Sequence, residues 1–280
     1  MKTILIGAAL LVLVLVVLSF GFVFLFSRPI VFHPTQTPTA EIERAALLHG
    51  YRLETIPIHG GPNLMGAVRS SSSAEKLLLF FGGNAFDLPS SISVSDRVSH
   101  GLPIDVATFA YRGYDGSTGD PSAWGIRSDA LAVAMVLKER YPKLPLILMG
   151  QSLGTGVAMQ LAADLAEKGQ PASGVVLVSP FRSVARLFSE GFPILPVGLA
   201  VRDRFDSEAV VDRVKCPVLI LHGTADRLIP VEHGRFLAAA LSAKLVEIRG
   251  AGHGDMWDQD ATADAVRSFL TDAGATAPRP

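Results

Sequence analysis

Cysteine is almost missing from this 280-residue chain: Cys216 stands alone, so no internal disulfide can form and none reports a redox compartment. Neither sign of charge is in excess. With 25 Lys and Arg against 26 Asp and Glu the net charge is −1, which leaves no electrostatic case for nucleic acid as a partner. The glycine-rich stretches contain no G-x-x-x-x-G-K-[ST], and Gly82-Gly83 opens no G-x-G-x-x-G, so a nucleotide site has no support. There is also no H-E-x-x-H and no cluster of Cys and His. No cofactor and no metal are expected.

Charge is absent altogether from residues 3–27, between Lys2 and Arg28, and Leu, Val, Ile and Phe dominate there. That run exceeds the ~20 residues a helix needs to cross a bilayer. A cleaved signal peptide has a shorter apolar core, ~7–15 residues, ending in small residues. Here the end is Phe22-Val23-Phe24-Leu25-Phe26, and no cysteine follows that could make a lipoprotein. The reading is an uncleaved transmembrane anchor over residues 1–28. The α-amine and Lys2 on one flank, against Arg28 and then Arg44 beyond Glu41 and Glu43, bias the N-terminus slightly towards the cytoplasm. A single-pass membrane protein with an extracytoplasmic body is the expectation.

Pro29, Pro34 and Pro38, interleaved with Thr35, Thr37 and Thr39, predict a semi-extended spacer over 29–41. The folded body is expected at 42–272, followed by a disordered tail at 273–280. Residues 52–58 and 64–68 read as a hairpin about Gly60-Gly61-Pro62-Asn63, followed by a strand at 76–81. Strands at 106–111, 146–149, 174–178, 218–221 and 244–248 then alternate with helices at 122–140, 153–167, 231–241 and 261–270. This predicts an α/β fold: a mostly parallel central sheet with helices on both faces and a short antiparallel start. In such sheets ligands bind at the carboxyl ends of the strands.

One such end carries Gly150-Gln151-Ser152-Leu153-Gly154, an apolar strand running through G-x-S-x-G into a helical pattern. With 26 glycines in the chain, a chance match is expected on the order of 0.2 times. The flanking strand and helix make the case. A serine hydroxyl is a poor nucleophile unless it is exposed beside a base, and a sharp strand-to-helix turn lifts Oγ clear of the sheet. A helix N-cap serine is the bland alternative.

A serine hydrolase of this kind needs an acid and then a histidine, each on a loop after a strand. The strand at 218–221 leads to Asp226, and that at 244–248 leads to His253 among glycines. His222 precedes Asp226 and is out of order for the base; it suits a hydrogen bond to the acid's loop. His33, His49, His59, His100 and His233 are expected to be solvated or packed surface residues, and Asp255, Asp258 and Asp260 a solvated helix start. The backbone N–H of Leu153 is one expected oxyanion donor. The second is the N–H of Asn84, in the loop Phe81-Gly82-Gly83-Asn84-Ala85 after an early strand.

Phe81 to Ala85 resembles F-H-G-N-A, and Tyr111-Arg112-Gly113-Tyr114-Asp115-Gly116-Ser117-Thr118-Gly119-Asp120-Pro121-Ser122 resembles Y-R-G-Y-G-x-S-x-G-x-P-S. With Gly150 to Gly154, Ser179-Pro180-Phe181, His222-Gly223 with Asp226 and Ile229-Pro230, and Gly252-His253, these motifs resemble the α/β-hydrolase superfamily, specifically its membrane-anchored, small-lid, bud-emergence-type serine hydrolases. The resemblance covers residues 30–272. It implies Ser152 as nucleophile, Asp226 as acid, His253 as base, and the Asn84 and Leu153 amides as oxyanion hole. Two positions depart from the pattern: Gly82 stands for a histidine that usually braces the oxyanion loop, and Asp115 stands for a glycine. Tyr111, Arg112 and Tyr114 are expected to brace the loop beneath the site. The apolar segment 188–201, with Pro193 and Pro196, would lie over the strand ends as a lid or acyl pocket.

The expected function is a membrane-anchored serine hydrolase that cleaves an ester, thioester or amide through an acyl-enzyme. Its expected partners are a small-molecule or lipid-like acyl substrate, a lipidated protein among the candidates, and the membrane through residues 3–27. A non-catalytic ligand-binding or scaffold protein of the same fold is the alternative; such a protein would be expected to lose one of these residues, and none is missing.

Overall fold

The structure is a computed structural model that describes residues 2–192 and 197–272. The expected tail at 273–280, and Pro193 and Pro196 of the lid segment, lie outside the described residues. Eight strands form one sheet: β1 (Arg52–Pro57), β2 (Asn63–Arg69), β3 (Lys76–Phe81), β4 (Ile104–Phe109), β5 (Leu146–Gln151), β6 (Gly174–Val178), β7 (Val218–Gly223) and β8 (Lys244–Ile248). Their order is β1-β2-β4-β3-β5-β6-β7-β8. The pairs β1–β2 and β2–β4 are antiparallel and all others parallel.

The helices are α1 (Lys2–Val31), α2 (Thr39–Leu48), α3 (Leu88–Ser99), α4 (Ala123–Arg140), α5 (Leu153–Glu167), α6 (Val184–Gly191), α7 (Val231–Ala240) and α8 (Asp260–Asp272). Covering the sheet on both faces explains why its inner strands are apolar along their whole length. In β3, Leu77, Leu79 and Phe81 enter the core under α4 and α5, while Leu78 and Phe80 enter the core under α3 and α8. From β3 the chain crosses to β4 on one side, and from β4 it returns to β5 on the other. The order therefore reverses beside β3, and the crevice at the carboxyl ends of β3 and β5 is where this architecture binds ligands.

Helices α3 and α6 lie where the sequence reading placed none, and three further features differ from expectation. First, α1 does not stop at Arg28 but runs through Pro29 to Val31. Pro29 falls within the last turn, and burial of Val31 and Phe32 in the core holds that turn together. The end of α1 rests on the body: Ser27 and Val23 are buried, Arg28 pairs with the buried Asp203 at 2.9 Å, and the helix packs on a single 3₁₀ turn at Val197–Ala200. Second, residues 32–38 are a docked strap rather than a free spacer, and α2 begins directly after them at Thr39. Third, β4 spans 104–109 instead of 106–111. Ile104 pairs with Lys76 in β3, and after the Ala110 amide bonds Met65 O at 2.9 Å the chain turns off the sheet. Among the described residues, α1 is the one helix long and apolar enough to cross a membrane, over Leu13–Val31.

Candidate active site

Ser152 joins β5 to α5 with φ 49° and ψ −118°, a backbone shape that costs a non-glycine residue on the order of 1–3 kcal/mol. The surroundings over-determine it. The Ser152 amide donates to Val178 O at 2.9 Å, and Ser152 O accepts from the Thr155 amide at 2.9 Å and the Thr155 hydroxyl at 2.6 Å. The flanking glycines leave no space: a Cβ on Gly154 would lie 2.1 Å from Phe81 O, and one on Gly150 2.3 Å from Gly154 O. The turn at Ser152 therefore packs its backbone directly against the end of β3.

The structure brings Ser152, His253 and Asp226 into one hydrogen-bonded row. Ser152 Oγ lies 2.9 Å from His253 Nε2, and His253 Nδ1 lies 2.7 Å from Asp226 Oδ2. A carboxylate only accepts, so Nδ1 carries the proton and Nε2 is left to accept from the serine hydroxyl. Asp226 Oδ1 also accepts from the amides of Leu228 at 3.0 Å and Ile229 at 2.8 Å. Burial alone would push this carboxyl up, but the bonds from His253 and the Ile229 amide outweigh it and hold Asp226 below its usual range. His222 ties down the same loop: its Nε2 donates to Ile229 O at 2.8 Å and lies 3.6 Å from Asp226 Oδ2. Burial pushes His222 below the usual histidine range, so it sits there neutral.

Facing this row is the loop 82–87. Leu153 heads α5, so its N–H and the positive end of that helix point at the space above Ser152. Gly83 passes close by, a Cβ there falling 3.5 Å from Ser152 Cβ, which puts Asn84 at the edge of the same space. Asn84 is held by its side chain: Oδ1 accepts from the His33 amide at 2.8 Å and the Tyr114 hydroxyl at 3.0 Å, and Nδ2 lies 2.7 Å from His33 Nδ1. Below it the Tyr111 hydroxyl donates to Gly82 O at 2.7 Å, and Arg112 grips Asp129 with two bonds of 2.7 and 2.6 Å. Burial raises both tyrosines well above the usual phenol range, so both hydroxyls keep their protons as donors.

Several residues expected to be bland are bonded. His33 is an exposed residue, yet it holds Asn84. His49 bonds Asp96 at 2.9 Å, and the buried His233 accepts the Arg182 amide at 3.2 Å and meets Glu190 of α6 at 2.8 Å. Asp255 Oδ1 accepts the Gly252 amide at 2.5 Å, which orders the loop carrying His253, and Asp260 pairs with Arg97 at 3.0 Å. The bond from Trp257 Nε1 to Gln151 Oε1 ties the same stretch to the residue before Ser152. The Asx pattern of Asp255, three residues after Gly252, is the one signal in this set that the sequence carried.

Two family models match the chain: serine aminopeptidase S33 over residues 104–205, and TAP-like protein over 198–279. The lysophosphatidylserine lipase of Danio rerio is 35% identical over 183 residues, covering 60% of this chain but 48% of the lipase. The chain thus spans about half the length of that relative. The alpha/beta hydrolase domain-containing protein 17B of Xenopus tropicalis is 31% identical over 208 residues, 73% of this chain and 69% of that protein. Among solved structures, Est1E from Butyrivibrio proteoclasticus, with ferulic acid bound, superimposes with a TM-score of 0.69 at 20% identity over 80% of this chain and 100% of its own.

Proposed function

This chain belongs to the α/β-hydrolase family of serine hydrolases, and from that premise we propose that it is a membrane-anchored esterase or lipase whose nucleophile is Ser152. The observation that carries the reading is the unbroken row from Ser152 Oγ through His253 to Asp226, with spacings of 2.9 and 2.7 Å. Ser152 Oγ attacks the acyl carbon while its proton passes to His253 Nε2, and Asp226, held ionised, steadies the imidazolium. The carbonyl oxygen gains charge facing the Leu153 and Asn84 amides. His253 then gives the proton to the departing alcohol or thiol, leaving an acyl-enzyme. Water, deprotonated by His253, attacks the acyl carbon, and Ser152 leaves with the returned proton.

The acyl group comes from a lipid-like ester in this reading, on two grounds: α1 is long and apolar enough to anchor the site beside a bilayer, and a relative carries lysophosphatidylserine lipase activity in its name. Thioesters, including those of lipidated proteins, are the second substrate class, and the bud-emergence-type assignment rests on the motifs alone. The body lies outside the cytoplasm. A reporter fused after Pro280 that is active only in the cytoplasm should stay silent. The central test is fluorophosphonate labelling of the full chain in detergent micelles, alongside hydrolysis of short-to-long acyl esters and thioesters. Wild type should label and turn over a preferred chain length, and Ser152→Ala should do neither. Labelling that persists in Ser152→Ala would remove Ser152 from the reaction.

A further inference from the structure

The two positions that depart from the resembled motifs meet at one structural feature. At Gly82 a Cβ would lie 2.8 Å from Phe86 Cβ and 3.0 Å from Ser91 Oγ, so the histidine usual at that position has no room. An imidazole reaches the oxyanion loop from elsewhere. Because a backbone N–H only donates, the Asn84 atom facing the His33 amide at 2.8 Å is Oδ1; its Nδ2 then faces His33 Nδ1 at 2.7 Å, and that ring nitrogen must accept. The Tyr114 hydroxyl closes the ring, accepting from the His33 amide at 3.1 Å and donating to Asn84 Oδ1 at 3.0 Å.

Asp115 fastens both partners. It sits at φ 31°, where a glycine would be unstrained, and it is buried. Its Oδ1 accepts the Thr37 amide of the strap at 2.9 Å, and its Oδ2 accepts the Leu88 amide, where the oxyanion loop enters α3, at 2.6 Å. Its own amide donates to Thr35 O at 2.9 Å, and Gln36 Nε2 adds a bond to Gly113 O at 3.0 Å. One side chain therefore ties the segment leaving α1 to the far end of the loop that carries Asn84.

We propose that residues 32–37 form a positioning strap for the oxyanion loop, with His33 as its brace and Asp115 as its clasp. The geometry of the oxyanion hole thereby depends on the segment that joins the apolar helix to the body. His33 is a positioning residue: it touches Asn84 and acts through it. The kinetic part of this inference rests on the proposed Ser152 chemistry, whereas the structural part does not.

The experiment uses the full chain in nanodiscs. His33→Ala should lower kcat about tenfold with KM within about twofold of wild type, since a small displacement of one oxyanion donor is felt in the transition state. His33→Asn, whose Oδ1 lies near where Nδ1 was, should restore most of the rate. His33→Ala in an Asn84→Ala background should cost nothing further, because the two residues act as one. Asp115→Gly relieves the backbone strain yet should also lower kcat. Hydrogen exchange of residues 82–87, followed in parallel, should quicken in His33→Ala and Asp115→Gly and recover in His33→Asn. A wild-type chain that takes no fluorophosphonate, yet loses loop protection in His33→Ala, would end the serine reading while upholding the strap. Unchanged exchange in His33→Ala would overturn the strap, as would multiplicative rate losses in the double variant or no rescue by asparagine.

Discussion

Ser152, Asp226 and His253 sit one, three and five residues beyond the ends of β5, β7 and β8 and bond one another, whereas Asn84, three residues beyond β3, takes its side-chain bonds from His33 and Tyr114, on a strap and a loop far apart in sequence that Asp115 ties together. One wall of the site is thus carried by the sheet itself and inherits its rigidity. The other is fastened from outside, by side chains reaching across from the segment that follows α1. The sheet wall should fail through chemistry or folding, and the fastened wall through placement.

The sharpest break in the sheet wall is Ser152→Ala, which should cut kcat by about 10⁶-fold with the fold intact, read by ester hydrolysis and by an unchanged melting temperature. Asp226→Asn comes next. The amide can still accept from Leu228 and Ile229, but it presents a donor to His253 Nδ1 and selects the wrong tautomer, so kcat should fall by about 10⁴-fold with KM nearly unchanged. Gly154→Ala tests where the two walls touch, because its methyl would meet Phe81 O. A loss of about 3 kcal/mol in denaturant unfolding is expected, and a variant of wild-type stability would show that the elbow can relax.

His222→Gln probes the smallest effect. The folded pKa of His222 lies below its usual 6.5, so between the two values the unfolded chain binds a proton that the folded chain refuses. Stability from this group is complete above about pH 6.5 and is lost as pH falls towards the folded value, with a slope of up to about 1.4 kcal/mol per pH unit. His222→Gln should flatten that part of the unfolding profile. A slope identical to wild type would mean that another group titrates there.

The sheet wall is the part that could be read from sequence. Apolar runs with Pro or Gly at one or both ends place β3, β5, β6 and β7, and the helix after the elbow is visible because Val157, Leu161 and Leu165 recur at its spacing. Helix α3 is hidden by its serines. Ser91, Ser95 and Ser99 would read as loop, yet they lie on the buried face beside Ile92 and Val98; Ser91 and Ser99 turn their hydroxyls back to Asp87 O at 3.0 Å and Ser95 O at 2.6 Å. The signal that was there is Asp87, capping the Ser90 amide at 2.8 Å, with Pro89 in the first turn. Helices α2 and α6 are short, 10 and 8 residues; Pro-rich sequence masks the start of α2, and the apolar sequence that follows α6 masks its end.

The strap could not be read at all. Its Pro and Thr composition describes a free linker equally well, and what docks it is mostly backbone: the amides of His33 and Thr37 and the carbonyl of Thr35. No side-chain pattern announces bonds of that kind. Asp115 was visible only as a departure from a motif, and its role follows from partners 78 and 27 positions away.

The bond between Trp257 and Gln151 gives the molecule an optical reporter. Of its two tryptophans, Trp124 is 78% exposed and Trp257 only 8%. An external quencher such as iodide silences the first and leaves the second, whose indole is hydrogen-bonded to the neighbour of Ser152. In the proposed reaction, acylation at Ser152 would change the polar surroundings beside that hydrogen bond, so the rise and decay of a covalent intermediate should be visible as a stopped-flow change in native emission, with no label attached.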